Sequence, residues 1–251
     1  MRSITIKSLT LLVILSSPVV LAGGNTSIES FSKAKRLMQQ SIFIGEEFQK
    51  TFYCSAAFNQ NKEVTLPSGI ITTKYMNRLK KWEAEHVLSS ENLGRSFVEW
   101  REGHPKCIDS KGKSLKGRRC TTKVSKEFRL MQADLYNLQP SLGAVNAARQ
   151  NYNFTMLPQA KSNFGSCDMR IDNRKVQPPE IARGQIARTY LYMENAYQSY
   201  TMSSSQRKLM KAWDRQYPVT DKECEIARRI EIVQKSKNNT LALRCHWALG
   251  A

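Results

Sequence analysis

A carboxylate and an imidazole stand side by side at Glu85-His86, and a carboxamide follows at Asn146. Together these three side chains can hold a single hard cation and activate one water. Mg2+ prefers oxygen ligands, retains several waters and usually takes one or two protein groups. A neutral imidazole, with an ordinary pKa of about 6.5, is the common general base near neutral pH. Alone, a Glu-His pair is ordinary and more often structural. In a strongly basic chain that opens on an export signal, the set points to metal-assisted cleavage of a nucleic-acid phosphodiester.

The elements that must position these groups are legible in outline. Residues 82–88 mix Trp, Val and Leu with Glu and His, the pattern of a strand with one wet face. Neighbouring strand residues point to opposite faces, so Glu85 and His86 can serve one phosphate only at a twisted strand end. Residues 125–138 place Phe128, Met131, Leu135 and Leu138 at helical spacing, with Ser125 a possible N-cap and Pro140 the stop. Ser141 is then expected to cap a further helix carrying Leu142, Val145, Asn146 and Arg149. Asn137 competes with Asn146 for the ligand role, but beside Pro140 it better suits bracing a helix end.

Upstream, residues 28–52 repeat apolar side chains at helical spacing with a break near Gly45, and residues 51–54 look strand-like. Residues 89–115 form a long polar excursion. Its basic end holds Lys111, Lys113, Lys116, Arg118, Arg119 and Lys123, is expected to touch phosphate, and could return as a second strand near Cys120. Downstream, Pro178-Pro179 introduces a long helix over residues 180–200, followed by helices over 203–216 and 220–235, the last opened by Thr220 or Asp221. Tyr190, Leu191, Tyr192 and Met193 read as core. His104 and His246 read as solvated. The expected architecture is α+β: one mostly helical domain with a small central sheet.

Charge and compartment agree. The 251 residues hold 39 Lys and Arg against 21 Asp and Glu, a formal net charge of +18. That balance suits a polyanionic partner. Arg2 and Lys7 flank a short apolar run over 9–15, and Val20-Leu21-Ala22 has the form of a signal cleavage site, so 1–22 reads as a secretory signal and 23–251 as the mature domain. No later stretch approaches the roughly 20 apolar residues of a membrane span. Six cysteines fit an oxidising compartment, and none lies in a CxxC pair, which argues against zinc. Cys107 and Cys120 can close a small basic loop; the other pairings stay open.

Several ordered motifs together resemble the endonuclease I family of bacterial periplasmic and secreted nucleases. They include Trp82 to Val87, Gly117-Arg118-Arg119-Cys120, Met131 through Pro140, Ser141 through Asn146, Pro178-Pro179, Arg183 through Arg188, Tyr190 through Met193, and Tyr217-Pro218-Val219. The resemblance implies a ββα-metal motif around one Mg2+. It would make His86 the general base, Glu85 and Asn146 the metal ligands, and either Arg118 or Arg119 a phosphate contact. It also implies 5′-phosphate and 3′-hydroxyl products, little sequence preference, action on DNA and RNA through the backbone, a monomer, and a periplasmic or extracellular home without stable membrane association. Three departures stand out. Gln132 replaces a usual Glu, Tyr136 a usual His, and Ser55-Ala56 lacks the second cysteine of a C-x-C. The rival reading is a cationic nucleic-acid binder without catalysis; a two-metal phosphodiesterase would need more carboxylates than Glu85 supplies.

Overall fold

The computed structural model describes residues 23–245; the expected signal over 1–22 and His246 lie outside them. In chain order the elements are α1 (Phe31–Leu37), β1 (Ala57–Phe58), β2 (Val64–Thr65), β3 (Trp82–His86), α2 (Ser90–Gly94), α3 (Val98–Arg101), α4 (Gly117–Val124), α5 (Lys126–Gln132), β4 (Leu138–Leu142), α6 (Gly143–Arg149), β5 (Asn153–Phe154), β6 (Arg170–Asp172), β7 (Lys175–Gln177), α7 (Glu180–Ala196), α8 (Ser204–Gln216), α9 (Asp221–Gln234) and α10 (Asn239–Ala242). The class is α+β, as expected. The sheet is three small ones: β1–β2, β3–β4, and the order β5-β7-β6.

The β3–β4 hairpin-like pair sits at the centre. Its antiparallel register runs from Trp82 opposite Leu142 to His86 opposite Leu138, and α6 follows β4 directly. Two strands and a helix therefore pack as one unit. Every residue of β4 is buried.

β4 corrects the expected helix over 125–138. Ser125 does cap α5, accepting from the Phe128 N–H at 3.2 Å, but α5 ends at Gln132. The Asp134 carboxylate accepts from the Tyr136 N–H at 3.0 Å, an Asx-type turn that offers the backbone an alternative to helix. Pro140 lies within the strand, opposite Ala84. Its carbonyl faces away from β3 and accepts from the Phe52 N–H at 2.7 Å, so its missing N–H costs the β3 ladder nothing. Ser141 belongs to β4 and caps no helix; Gly143 opens α6, where a Cβ would stand 2.6 Å from the Arg78 carbonyl oxygen.

Other expectations shift as well. The basic end of the 89–115 excursion returns as the helix α4, placing buried Cys120 and Thr121 inward, and the excursion itself contains α2 and α3. Residues 51–54 form a turn. The first helix ends in a π-turn at Ile42, and Gly45 takes φ +86 at the expected break. The long C-terminal helices α7, α8 and α9 stand where the spacing puts them, with Thr220 the N-cap of α9. Tyr190, Tyr192 and Met193 are core. Three disulfides staple the body: Cys107–Cys120 as expected, with Cys54–Cys167 and Cys224–Cys245. Among the described residues no helix is long and apolar enough to cross a membrane.

Candidate active site

Glu85 and His86 end β3, and both line a pocket of about 420 Å³ together with Arg118 and Asn146. Both reach this one pocket although neighbours on a strand point to opposite faces.

The His86 ring nitrogen Nε2 lies 2.8 Å from the Gln132 carbonyl oxygen. A carbonyl only accepts, so Nε2 carries the proton and the neutral ring keeps its lone pair on Nδ1. Nδ1 has no hydrogen-bond partner among the described residues. Phe31 stacks against the ring, centroid to centroid 4.7 Å. Burial, and next the Arg118 guanidinium, push the imidazole down to about 3, while the Gln132 carbonyl opposes them. His86 is thus neutral across the physiological range.

Glu85 is 2% exposed. Its Oε1 accepts from the Tyr53 hydroxyl at 2.7 Å and faces Arg149 Nη1 at 3.3 Å. Burial raises its carboxyl, with Arg149 and the Tyr53 hydroxyl pulling the other way. Oε2 accepts nothing from the described residues. One turn of α6 away, the Asn146 amide Nδ2 donates to Glu83 Oε2 at 2.9 Å, and its carbonyl oxygen accepts nothing from the described residues. Glu83 is itself clamped by Arg78, whose Nε donates to Oε1 at 2.8 Å. The groups left over are two oxygens, one anionic and one neutral, which is the donor set a hard divalent cation takes with water completing the shell. Among the described residues no three His, Cys, Asp or Glu gather into a denser cluster.

The register explains the pairing. Glu83 and Glu85 share a strand face at i, i+2, and Asn146 and Arg149 share a helix face at i, i+3. Packing α6 on β3 brings Glu83 to Asn146 and Glu85 to Arg149. Arg149, placed on this helix by the sequence but given no part in the site, is 1% exposed. It donates to the carbonyls of His86, at 2.8 Å, and Val87, and its guanidinium lies 4.7 Å from the Phe154 ring centre. Tyr53, Arg78, Glu83 and Phe31 were missed too. The strand–helix spacing was the available signal for Glu83 and Arg149; the aromatic residues carried none.

Of the two candidate arginines, Arg118 lines the pocket and its Nε donates to Gln132 Oε1 at 3.1 Å, while Arg119 is exposed outside the lining. Gln132, the departure from a usual Glu, therefore serves both ends: its carbonyl holds His86 and its side chain holds Arg118 and, through Nε2, Thr122 at 3.1 Å. Asn137 is not in the pocket. It is fully buried, accepting from the Leu88 N–H at 2.7 Å and donating to the Leu88 carbonyl at 2.9 Å, so it braces the chain leaving β3. Tyr136 is buried with its hydroxyl near the Ser236 carbonyl at 3.2 Å. Lys111, Lys113, Lys116 and Lys123 lie beyond the pocket lining.

Two antiparallel strands and the helix that follows thus bring a histidine and a carboxylate from β3 and a carboxamide from α6 to one pocket. Comparison with known families agrees: the Endonuclease I model matches residues 46–241, and the chain belongs to that family. It is 33% identical over 245 residues to an extracellular deoxyribonuclease of Aeromonas hydrophila, covering 95% of this chain and 97% of the relative. A periplasmic deoxyribonuclease of the same organism is 34% identical over 218 residues, 84% and 86% of the two chains. Endonuclease-1 of Buchnera aphidicola subsp. Acyrthosiphon pisum (strain APS) is 32% identical over 227 residues, 88% and 83%.

Proposed function

We propose that this protein is an exported endonuclease, working in the periplasm or outside the cell, that hydrolyses DNA phosphodiesters with His86 as general base. The observation that carries this reading is the His86–Gln132 bond, which leaves an unprotonated Nδ1 in the same pocket as Glu85, Asn146 and Arg118. Family membership and the names of the deoxyribonuclease relatives support the class of substrate.

In the proposed reaction Nδ1 takes a proton from water as its oxygen attacks phosphorus. The bond to the 3′ oxygen breaks on the opposite side, and that oxygen takes up a proton from solvent. The products are a 5′-phosphate and a 3′-hydroxyl. Arg118 binds a phosphate oxygen as a charge-assisted partner. Glu85 Oε2 and Asn146 Oδ1 would hold one Mg2+, which when bound stabilises charge on the phosphate and the leaving oxygen. Arg149 and Tyr53 keep the other Glu85 oxygen occupied, and Glu83 holds the Asn146 amide nitrogen. Contacts of this kind read backbone and not base, so cleavage has little sequence preference and extends to RNA. The protein acts as a monomer.

Cleavage of supercoiled plasmid in Mg2+ by the oxidised protein tests this, with EDTA and His86→Ala as controls. Activity lost in both, with DNA binding retained, is the expected result. Equal cutting by His86→Ala removes histidine as the base. Binding without cutting by the wild type leaves the cationic-binder reading in its place.

A further inference from the structure

Beside the pocket that holds His86 lies a second cavity of about 200 Å³. Gln150 lines both, so the two adjoin at the C-terminal end of α6. Where the first is lined by several charged groups, the second mixes polar side chains with three aromatic ones, Tyr75, Tyr152 and Phe164. Tyr75 and Tyr152 line it, with Lys74 next to Tyr75 and the Arg174 guanidinium 5.9 Å from the Tyr152 ring centre. Tyr75 is exposed, and neither tyrosine hydroxyl has a hydrogen-bond partner among the described residues. The backbone is held in unusual states on both sides: Tyr75 has φ 55 and ψ 34, and Gln150 has φ 52 and ψ −129. Side chains with a Cβ rarely adopt such angles, and they persist mostly where a site over-determines them.

We propose that this cavity docks one unpaired nucleobase of the strand being cut, adjacent to the scissile phosphate. The proposal rests on the nuclease reading above and adds a preference to it. Planar rings stack on any base, so such a subsite is sequence-tolerant. Lys74 and Arg174 supply the positive charge that tracks the flanking phosphates. A base inside a duplex is already stacked and paired and must be extruded to enter. A single strand, a frayed end or a mismatch offers its base freely. The cavity therefore lowers KM for unpaired substrate and leaves kcat alone.

The test uses a single-stranded oligonucleotide carrying 2-aminopurine, bound to the protein in EDTA so that no cleavage occurs, alongside KM and kcat in Mg2+ for single-stranded and duplex DNA of one sequence. Wild type, Tyr75→Phe and Tyr152→Phe are expected to quench the fluorescence; Tyr75→Ala and Tyr152→Ala lose the quenching. In the alanine variants KM for the single strand rises roughly tenfold, the scale of one base–aromatic stack, with kcat and duplex KM unmoved. Tyr152 packs against the core, so thermal melting accompanies both variants, and exposed Tyr75→Ala decides if Tyr152→Ala melts early. Unchanged single-strand KM in folded Tyr75→Ala overturns the proposal, as does an equal loss on both substrates. Cleavage by a wild type that never quenches sinks the subsite and spares the nuclease; quenching by a wild type that cuts nothing does the reverse.

Discussion

Glu85, Asp134 and Glu223 are the buried carboxylates among the described residues, and the surroundings of the first two differ in kind. Asp134 is 0% exposed and saturated by neutral donors: the hydroxyls of Tyr197 at 2.6 Å and Tyr192 at 2.9 Å, the Tyr136 and Asn25 N–H groups at 3.0 and 3.2 Å, and the Gln234 amide at 3.0 Å. Among the described residues no cation pairs with it, and it does not line the pocket that holds His86. It ties α7, α9 and the N-terminal segment to the turn before β4. Glu85 is buried almost as deeply, but only one of its oxygens is engaged, by a tyrosine and an arginine, and the other faces a pocket. Burial alone marks neither as functional. The unengaged lone pair is what supports the role proposed for Glu85.

The sharpest break between them is functional. Glu85→Gln preserves shape and removes the charge that a cation and phosphate would meet, so plasmid cleavage should fall by about 10²-fold or more, comparable with losing one preorganised electrostatic group. Asp134→Asn should leave the activity of folded protein intact and lower stability by about 1–3 kcal/mol, because an amide NH2 then faces a hydroxyl or N–H donor. Urea unfolding paired with plasmid cleavage measures both. Reversed outcomes would mean that the roles of the two carboxylates are exchanged.

Arg149→Met carries the comparison into stability. It strips Glu85 of its ion-pair partner and leaves the His86 and Val87 carbonyls without their donor, and breaking one side of a buried pair costs about 3–5 kcal/mol. Glu85→Gln/Arg149→Met should recover part of that loss. A double variant no more stable than Arg149→Met would show that the carbonyl bonds, and not the ion pair, are what Arg149 contributes.

His86 gives the two regions different pH behaviour. Its folded pKa lies at about 3 against 6.5 for an unhindered imidazole, so below 6.5 the unfolded chain takes a proton that the folded chain refuses. Stability present above 6.5 is lost as pH falls toward 3, at up to about 1.4 kcal/mol per unit. Raised carboxyls such as Glu85 and Asp134 act in the opposite sense, losing stability as pH rises through their folded values. The difference between wild type and His86→Gln isolates the imidazole: urea midpoints should converge as pH drops from 6.5 to 4. Parallel midpoints would place a proton on His86 in the folded state.

How much of this was legible follows from range. Glu85, His86 and Asn146 were readable because their types and order survive in one dimension, and the helices α7 to α9 because apolar spacing and caps are local. β4 was not readable. Phe128, Met131, Leu135 and Leu138 keep helical spacing across the boundary, and Pro140 looks like a stop until its carbonyl is seen facing Phe52. What decides that stretch is Asn137 binding Leu88 across 49 residues, a contact with no sequence-local signal. The α4 helix was misread for the same reason: Gly117 and a run of cations resemble a turn and a strand edge until the disulfide to Cys107 turns Cys120 inward. Arg149 was placed on its helix but given no part in the site, since nothing local in the sequence marks its burial.

The smallest expected effect concerns the lysines. Lys111, Lys113 and Lys116 lie on the loop closed by Cys107–Cys120, and Lys123 lies on α4 with Arg118; all four stand outside the pocket lining. Their replacement together by Ser should leave kcat unchanged and raise KM for duplex DNA several-fold near 0.15 M salt. Each lysine that meets a phosphate contributes about 0.9 to the slope of log affinity against log salt, so the variant's binding should depend less steeply on salt, by at most about 3.6. A slope reduced by about 1 would assign one contact to the group, and an unchanged slope would make it a solvated face. The remaining steepness would then belong to Arg118 and the cations nearer the pocket, so that α4, whose Arg118 and Thr122 both hold the Gln132 side chain, would carry substrate affinity beside the residue whose carbonyl holds His86.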